Sequence, residues 1–153
     1  MAKWKTIGIS VIVSAISFAI ASYFSTNAKE VYAVLELPAL APPPILFAIV
    51  WPILYGLMGV SLYYVLSRPS KLTTEAVFVF FAQLALNLIW PFLFFVLENN
   101  AAALGILALL WAAVVMMIQE FYTIYPKASY LQIPYLLWIT YAVYLNFWIL
   151  YHN

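Results

Sequence analysis

Only eleven charged side chains punctuate this chain, and between them lie charge-free stretches at 6–28, 37–67, 76–97, 99–119 and 128–153. The shortest has 21 residues. The hydrocarbon core of a bilayer takes about 20 residues of helix, so each stretch is long enough to cross it. In lipid the backbone must satisfy its own hydrogen bonds, which favours helix, and the strict alternation of barrel strands is missing. The pattern predicts five helices at about 6–25, 44–67, 75–97, 100–122 and 130–151. Composition agrees: 153 residues, 68% hydrophobic, 19% aromatic and 7% charged. So few charges cannot cover a water-soluble fold of this size, which excludes a soluble enzyme, a nucleic-acid binder and a disordered tail. A net charge of +1 offers nothing to a polyanion, and the absence of cysteine excludes disulfides and thiolate metal sites. The expected fold is an all-α integral membrane bundle, a single five-helix transmembrane domain over 1–153.

Lys3 and Lys5 ahead of an apolar run, with Ala19-Ile20-Ala21 behind it, resemble a signal peptide. The length of the run favours a retained helix. Lys3, Lys5, Arg68, Lys71 and Lys127 fall on one side of the five spans and Lys29 alone on the other. That bias predicts a multi-pass protein of the cell membrane with its N-terminus inside and its C-terminus outside. The link 26–43 is the longest, and Pro38, Pro42, Pro43 and Pro44 stiffen its end. It is expected to act as a lid or as a stiff spacer.

No charge sits mid-span, which argues against ion coupling, and no lysine lies at depth to form a Schiff base. The one histidine, His152, has no second ligand beside it. The polar residues at depth are amides. Gln83, Asn87, Trp90 and Phe94 share one face of the third span; Phe47, Trp51, Tyr55 and Met58 share one face of the second. Trp138, Ala142 and Leu145 do so in the fifth, with Asn146 beside them. Amides have no partner in hydrocarbon, so these faces should point inward, where Asn87 and Asn146 either meet a ligand or bridge helices. Trp51 is the eighth residue of its span and Trp138 the ninth of its own, each about 12 Å from the start at 1.5 Å per residue. Counted from starts on the outer side, the two rings stand at one depth and face one cavity. Trp51-Pro52 and Trp90-Pro91 can kink their helices and leave a pocket. Aromatic rings with one or two amides suit a flat, largely apolar ligand, although aromatic stripes also fill cores. In the fourth span, Ala101 and Gly105, then Ala108 and Ala112, allow a close helix approach.

The run LPALAPPPILFAIVWPILYGLMGVSLY at 37–63, NLIWPFLFF at 87–95 and PYLLWITYAVYLNFWILYHN at 134–153 resemble, in order and spacing, the motifs of the TspO/translocator protein family, the peripheral-type benzodiazepine receptors. The resemblance covers essentially the whole chain. It implies a five-helix bundle, often a homodimer, that binds porphyrins such as protoporphyrin IX, sterols, and benzodiazepine- or isoquinoline-type ligands. Some bacterial members are reported to degrade protoporphyrin in light. By resemblance, Pro42, Trp51, Tyr55, Asn87, Trp90, Pro91, Trp138 and Ala142 would line the ligand pocket, with Tyr32 in the covering loop, and the stripe on the second span adds Phe47. Trp51 and Trp138 match the tryptophans linked to porphyrin photochemistry, the nearest approach to catalytic residues here. One departure stands out: the family's sterol pattern needs a Lys or Arg shortly after a Tyr, whereas Tyr151 is followed only by His152 and Asn153.

The leading expectation is therefore a receptor-like membrane protein that holds a tetrapyrrole between its helices, with no obligatory cofactor and the porphyrin as ligand or substrate. Its carboxylates would sit near the outer mouth, reached by backbone N–H groups, water or Lys29. The alternatives are a facilitative transporter of porphyrins or other small amphipathic molecules, and a scaffold whose aromatics only pack.

Overall fold

The computed structural model describes residues 3–153. Its elements in chain order are α1 (Lys3–Phe24), α2 (Ala28–Val34), α3 (Pro44–Leu66), α4 (Thr73–Pro91), α5 (Asn100–Ile124), α6 (Pro126–Tyr130) and α7 (Ile133–His152). A π-helical segment, Phe92–Val96, continues α4, and no strand occurs among the described residues. Five of these stretches are long and apolar enough to cross a membrane, and they coincide with the five charge-free stretches of the sequence. The fold is an all-α membrane bundle.

Local chemistry sets the boundaries. Pro44 opens α3, where a fixed φ and a missing N–H cost nothing. Asn99 caps α5, its side chain accepting from the Ala102 N–H at 2.9 Å. Glu98 adopts φ 49°, a left-handed conformation that turns the chain tightly from the π segment into α5.

Helix α1 packs on α3 and α4, α4 on α5, and α5 on α7. The buried residues of α1 are Thr6, Ser10 and Ser17, whereas Val11, Ile12 and Ile16 are exposed. That is the reverse of a soluble helix and what lipid demands: small polar groups inside, apolar groups out. The contact is close at Gly59, where a Cβ would collide with the Ser14 hydroxyl and lie 3.2 Å from the Ser10 carbonyl. At the end away from the lid, Gln132 donates to Ser61 Oγ at 2.6 Å and Ser61 donates to the Ala128 carbonyl at 2.8 Å. These bonds tie α3 to the start of α7. Nearby, the Arg68 guanidinium lies 3.6 Å from the Tyr125 ring centroid, a cation–π contact.

The link 26–43 differs from the expected loop, because α2 occupies its first half. The proline-rich half is tied down along α7. The Asn153 side chain accepts from the Glu36 N–H at 2.8 Å and donates to the Glu36 carbonyl at 3.1 Å, and Tyr141 donates to the Leu40 carbonyl. Tyr141 lies roughly 18 Å below Asn153 at 1.5 Å rise per residue, so the segment descends along the helix. Pro38, Pro42, Pro43 and Pro44 have no N–H to satisfy on the way.

This descent corrects the depth count made from the sequence. Helix α3 begins at the lid end and α7 finishes there, so the two starts lie at opposite ends of the bundle. Trp51 and Trp138 nonetheless meet, with centroids 6.5 Å apart, because the descending segment starts α3 partway down α7. Placing Val at Gly59 should force α1 off α3 and cost about 1–3 kcal/mol by overpacking. Gly56→Ala should be nearly silent, since nothing lies within 4 Å of where its Cβ would stand. Thermal unfolding in detergent reads both.

Candidate functional site

Between α1, α2, α3 and α4 lies a cavity of about 530 Å³. Helix α1 supplies Phe18, Ala21 and Ser22, and the turn after it Ser25; the lid supplies Lys29 and Tyr32. Helix α3 contributes Phe47, Trp51 and Tyr55, and α4 contributes Asn87, Trp90 and Pro91. Phe95 of the π segment closes the side.

A polar bridge forms the floor. Tyr55 donates its hydroxyl to Asn87 Oδ1, Asn87 Nδ2 donates to the Tyr135 hydroxyl at 2.8 Å, and Tyr135 donates to Gln83 Oε1 at 2.9 Å. All four residues are buried. Asn87 thus links α3, α4 and α7 and also lines the cavity. Asn146 is also a bridge: it accepts from Trp90 Nε1 at 3.1 Å and donates to the Ala142 carbonyl at 2.9 Å. The Trp90 ring stacks on Phe94 at 5.3 Å and is held in orientation from both sides.

The lid is joined to this wall. Pro91 lacks the N–H that would bond the Asn87 carbonyl, and the chain after it widens into the π turn. Asn27 donates to the Phe95 carbonyl in that turn at 2.9 Å. Tyr32 packs on Phe47, Phe94 and Phe95 with centroids 5.7–5.9 Å away. Its hydroxyl is buried without a partner among the described residues. Burial, and secondarily Tyr141, push this phenol up from its ordinary range, so it remains a hydrogen-bond donor.

The structure brings Tyr32, Phe47, Trp51, Tyr55, Asn87, Trp90 and Pro91 together on one cavity. It does not bring Trp138, Pro42 or Ala142 to it. Trp138 stands edge-on behind Phe47 and Trp51, at 5.5 and 6.5 Å, and faces a second hollow on the outside of α3 and α7. Pro42 lines that outer hollow, of about 760 Å³, while Ala142 lines neither. The reason is spacing: α3 and α7 stand apart, and a layer of rings fills the gap. Sequence reasoning missed the α1 wall. Its small residues Ala21 and Ser22, with Ser25 just beyond the helix, carry no chemical signature beyond leaving room. At the far end of α7, His152 stacks on Trp148 at 3.9 Å, away from the cavity.

The model of the TspO/MBR family matches residues 8–152. The chain belongs to the TspO/MBR family. It is 38% identical over 141 residues to the "Tryptophan-rich protein TspO" of Chlorobaculum tepidum, covering 91% of this chain and 89% of that one. A protein of the same name from Archaeoglobus fulgidus is 38% identical over 135 residues, 88% of each chain. The human "Translocator protein" is 34% identical over 119 residues, 76% of this chain and 70% of that one. For a TspO/MBR chain built this way, the bridge at Asn87 is the cavity's structural floor. Asn87→Leu removes the acceptor of the Tyr55 hydroxyl and one partner of Tyr135, and should cost about 2 kcal/mol. Tyr135→Phe should cost a comparable amount, because it leaves both Asn87 Nδ2 and Gln83 Oε1 without this partner although Asn87 keeps its bond from Tyr55. Thermal unfolding of the two variants checks both values.

Proposed function

We propose that this membrane protein binds a flat tetrapyrrole, protoporphyrin IX or a close relative, in the cavity beneath the lid, and that the same pocket takes benzodiazepine- and isoquinoline-type ligands. One observation carries the reading: a cavity of about 530 Å³ inside a membrane bundle, walled by Phe47, Trp51, Tyr55, Trp90 and Phe95. Ligand sites commonly measure 300–1,000 Å³, with apolar walls and few polar groups. Ring stacking on Trp51 and Trp90 supplies affinity, and the buried Tyr32 hydroxyl offers a donor from the lid. The family names of its relatives, translocator and tryptophan-rich sensory protein, are compatible with such a role.

The reading extends to light-dependent porphyrin loss. The pigment supplies light absorption and oxygen activation; the chain supplies orientation and a dry enclosure. Trp51 lies on the cavity wall, and Trp138 backs it at 6.5 Å. Their roles therefore differ: Trp51 touches the ligand and Trp138 acts through Trp51 as a positioning residue. The Lys and Arg bias sets the N-terminus inside and the lid outside. Ala101, Gly105, Ala108 and Ala112 lie on the exposed face of α5, which leaves that edge free for a second copy.

Titration of the purified protein with protoporphyrin IX tests the proposal, in darkness and then under illumination. We expect saturable quenching of porphyrin fluorescence in the dark, and loss of the pigment band only in light. Trp51→Phe should weaken dark binding and stop the light reaction, whereas Trp138→Phe should spare dark binding and slow the light reaction. No spectral change at micromolar protein would remove the proposal. Saturable binding accompanied by passage across proteoliposomes would replace it with facilitated transport.

A further inference from the structure

Six cationic side chains occur in the chain, and five of them lie on the side predicted to be cytoplasmic. Lys29 is the exception. A cation on the outer side works against the bias that orients membrane proteins, so its position calls for a physical reason. The structure offers one: Lys29 lines the mouth of the cavity, at the start of α2. Among the described residues no carboxylate lines that cavity and Lys29 is the one cation that does. The hydroxyl residues Ser22, Ser25 and Thr26 line the same sector, and every other wall is dominated by aromatic and aliphatic side chains. The cavity is thus polarised, with a cation and hydroxyl groups at the mouth and rings and amide at the floor.

We infer that Lys29 is the specificity-determining residue of this site: it selects flat ligands that carry carboxylates along one edge over neutral ligands of the same shape. This rests on the tetrapyrrole reading above and names what that reading leaves open, the counter-charge for the ligand's acids. The aromatic body enters first and lies between Trp51 and Trp90. The acid edge stays at the mouth, where the ammonium donates to a carboxylate oxygen and water reaches the rest. A charge-assisted bond at the mouth is stronger than one between neutral groups. Neutral ligands gain nothing from it and bind through the rings alone.

The experiment compares protoporphyrin IX with its dimethyl ester, which keeps the ring and removes both negative charges. Dark quenching titrations are run on the full chain in nanodiscs of neutral lipid, so that no lipid charge competes. The unmodified protein should bind the free acid roughly tenfold more tightly than the ester, the size of one charge-assisted hydrogen bond. Lys29→Gln should bring the free acid down to the affinity of the ester and leave the ester unchanged. Lys29→Arg should restore most of the preference, and added salt should erode it only where a cation is present. Equal affinities in the unmodified protein would overturn the inference, as would a preference that survives Lys29→Gln. Loss of both ligands together in Lys29→Gln would also overturn it, by assigning Lys29 a structural role. If neither ligand binds the unmodified protein, it is the tetrapyrrole reading that fails, and the two failures are told apart.

Discussion

Three helices converge on one carboxamide. Asn87 accepts from Tyr55 of α3 and donates to Tyr135 of α7, and Tyr135 passes the bond back to Gln83 of α4. In hydrocarbon such groups have no water to turn to, so each partner holds the others in place. The bridge spans the gap between α3 and α7 through side chains alone. The gap is then filled by side chains, and where the filling is incomplete, on the α1 side, a cavity remains. Lid, aromatic wall and polar mouth are all arranged around that floor.

The lid follows from the same solvent argument. A segment that lies beside a membrane helix must satisfy or abolish its polar backbone groups. Here the prolines abolish N–H donors, while Tyr141 and Asn153 satisfy carbonyls and one N–H. Asn27 adds a third tie, to the π turn that follows Pro91. The lid is therefore fastened to α7 and to the continuation of α4, the two walls that also hold Trp138 and Trp90. Lid and aromatic wall thus share the same anchoring elements.

Much of this was legible in the sequence. Charges interrupt the chain only where it leaves the membrane, so the five spans could be read directly, with the helical faces of Asn87, Trp51 and Tyr55. Other features could not be read. Helix α2 hides in a link whose prolines all stand in its second half. Trp138 was expected to face the cavity because helical periodicity gives a direction but not which rings stand in front, and Phe47 and Trp51 do. The contribution of α1 was invisible because Ala21 and Ser22 act by being small. The ties made by Asn27 and Asn153 are tertiary: each bonds a backbone group more than sixty positions away along the chain.

The central claim is that ligand occupies the inner cavity rather than the outer hollow between α3 and α7. Photoaffinity labelling addresses it most directly: a porphyrin carrying a diazirine is bound in the dark, activated, and its adducts are located by peptide mass spectrometry. Occupancy of the inner cavity places adducts on α1, α2 and the inward face of α3, at Phe18, Ser22, Tyr32 or Trp51, with loss of labelling under excess unlabelled porphyrin. Adducts confined to Leu137, Tyr141 and the proline segment, or labelling that excess porphyrin fails to displace, would contradict it.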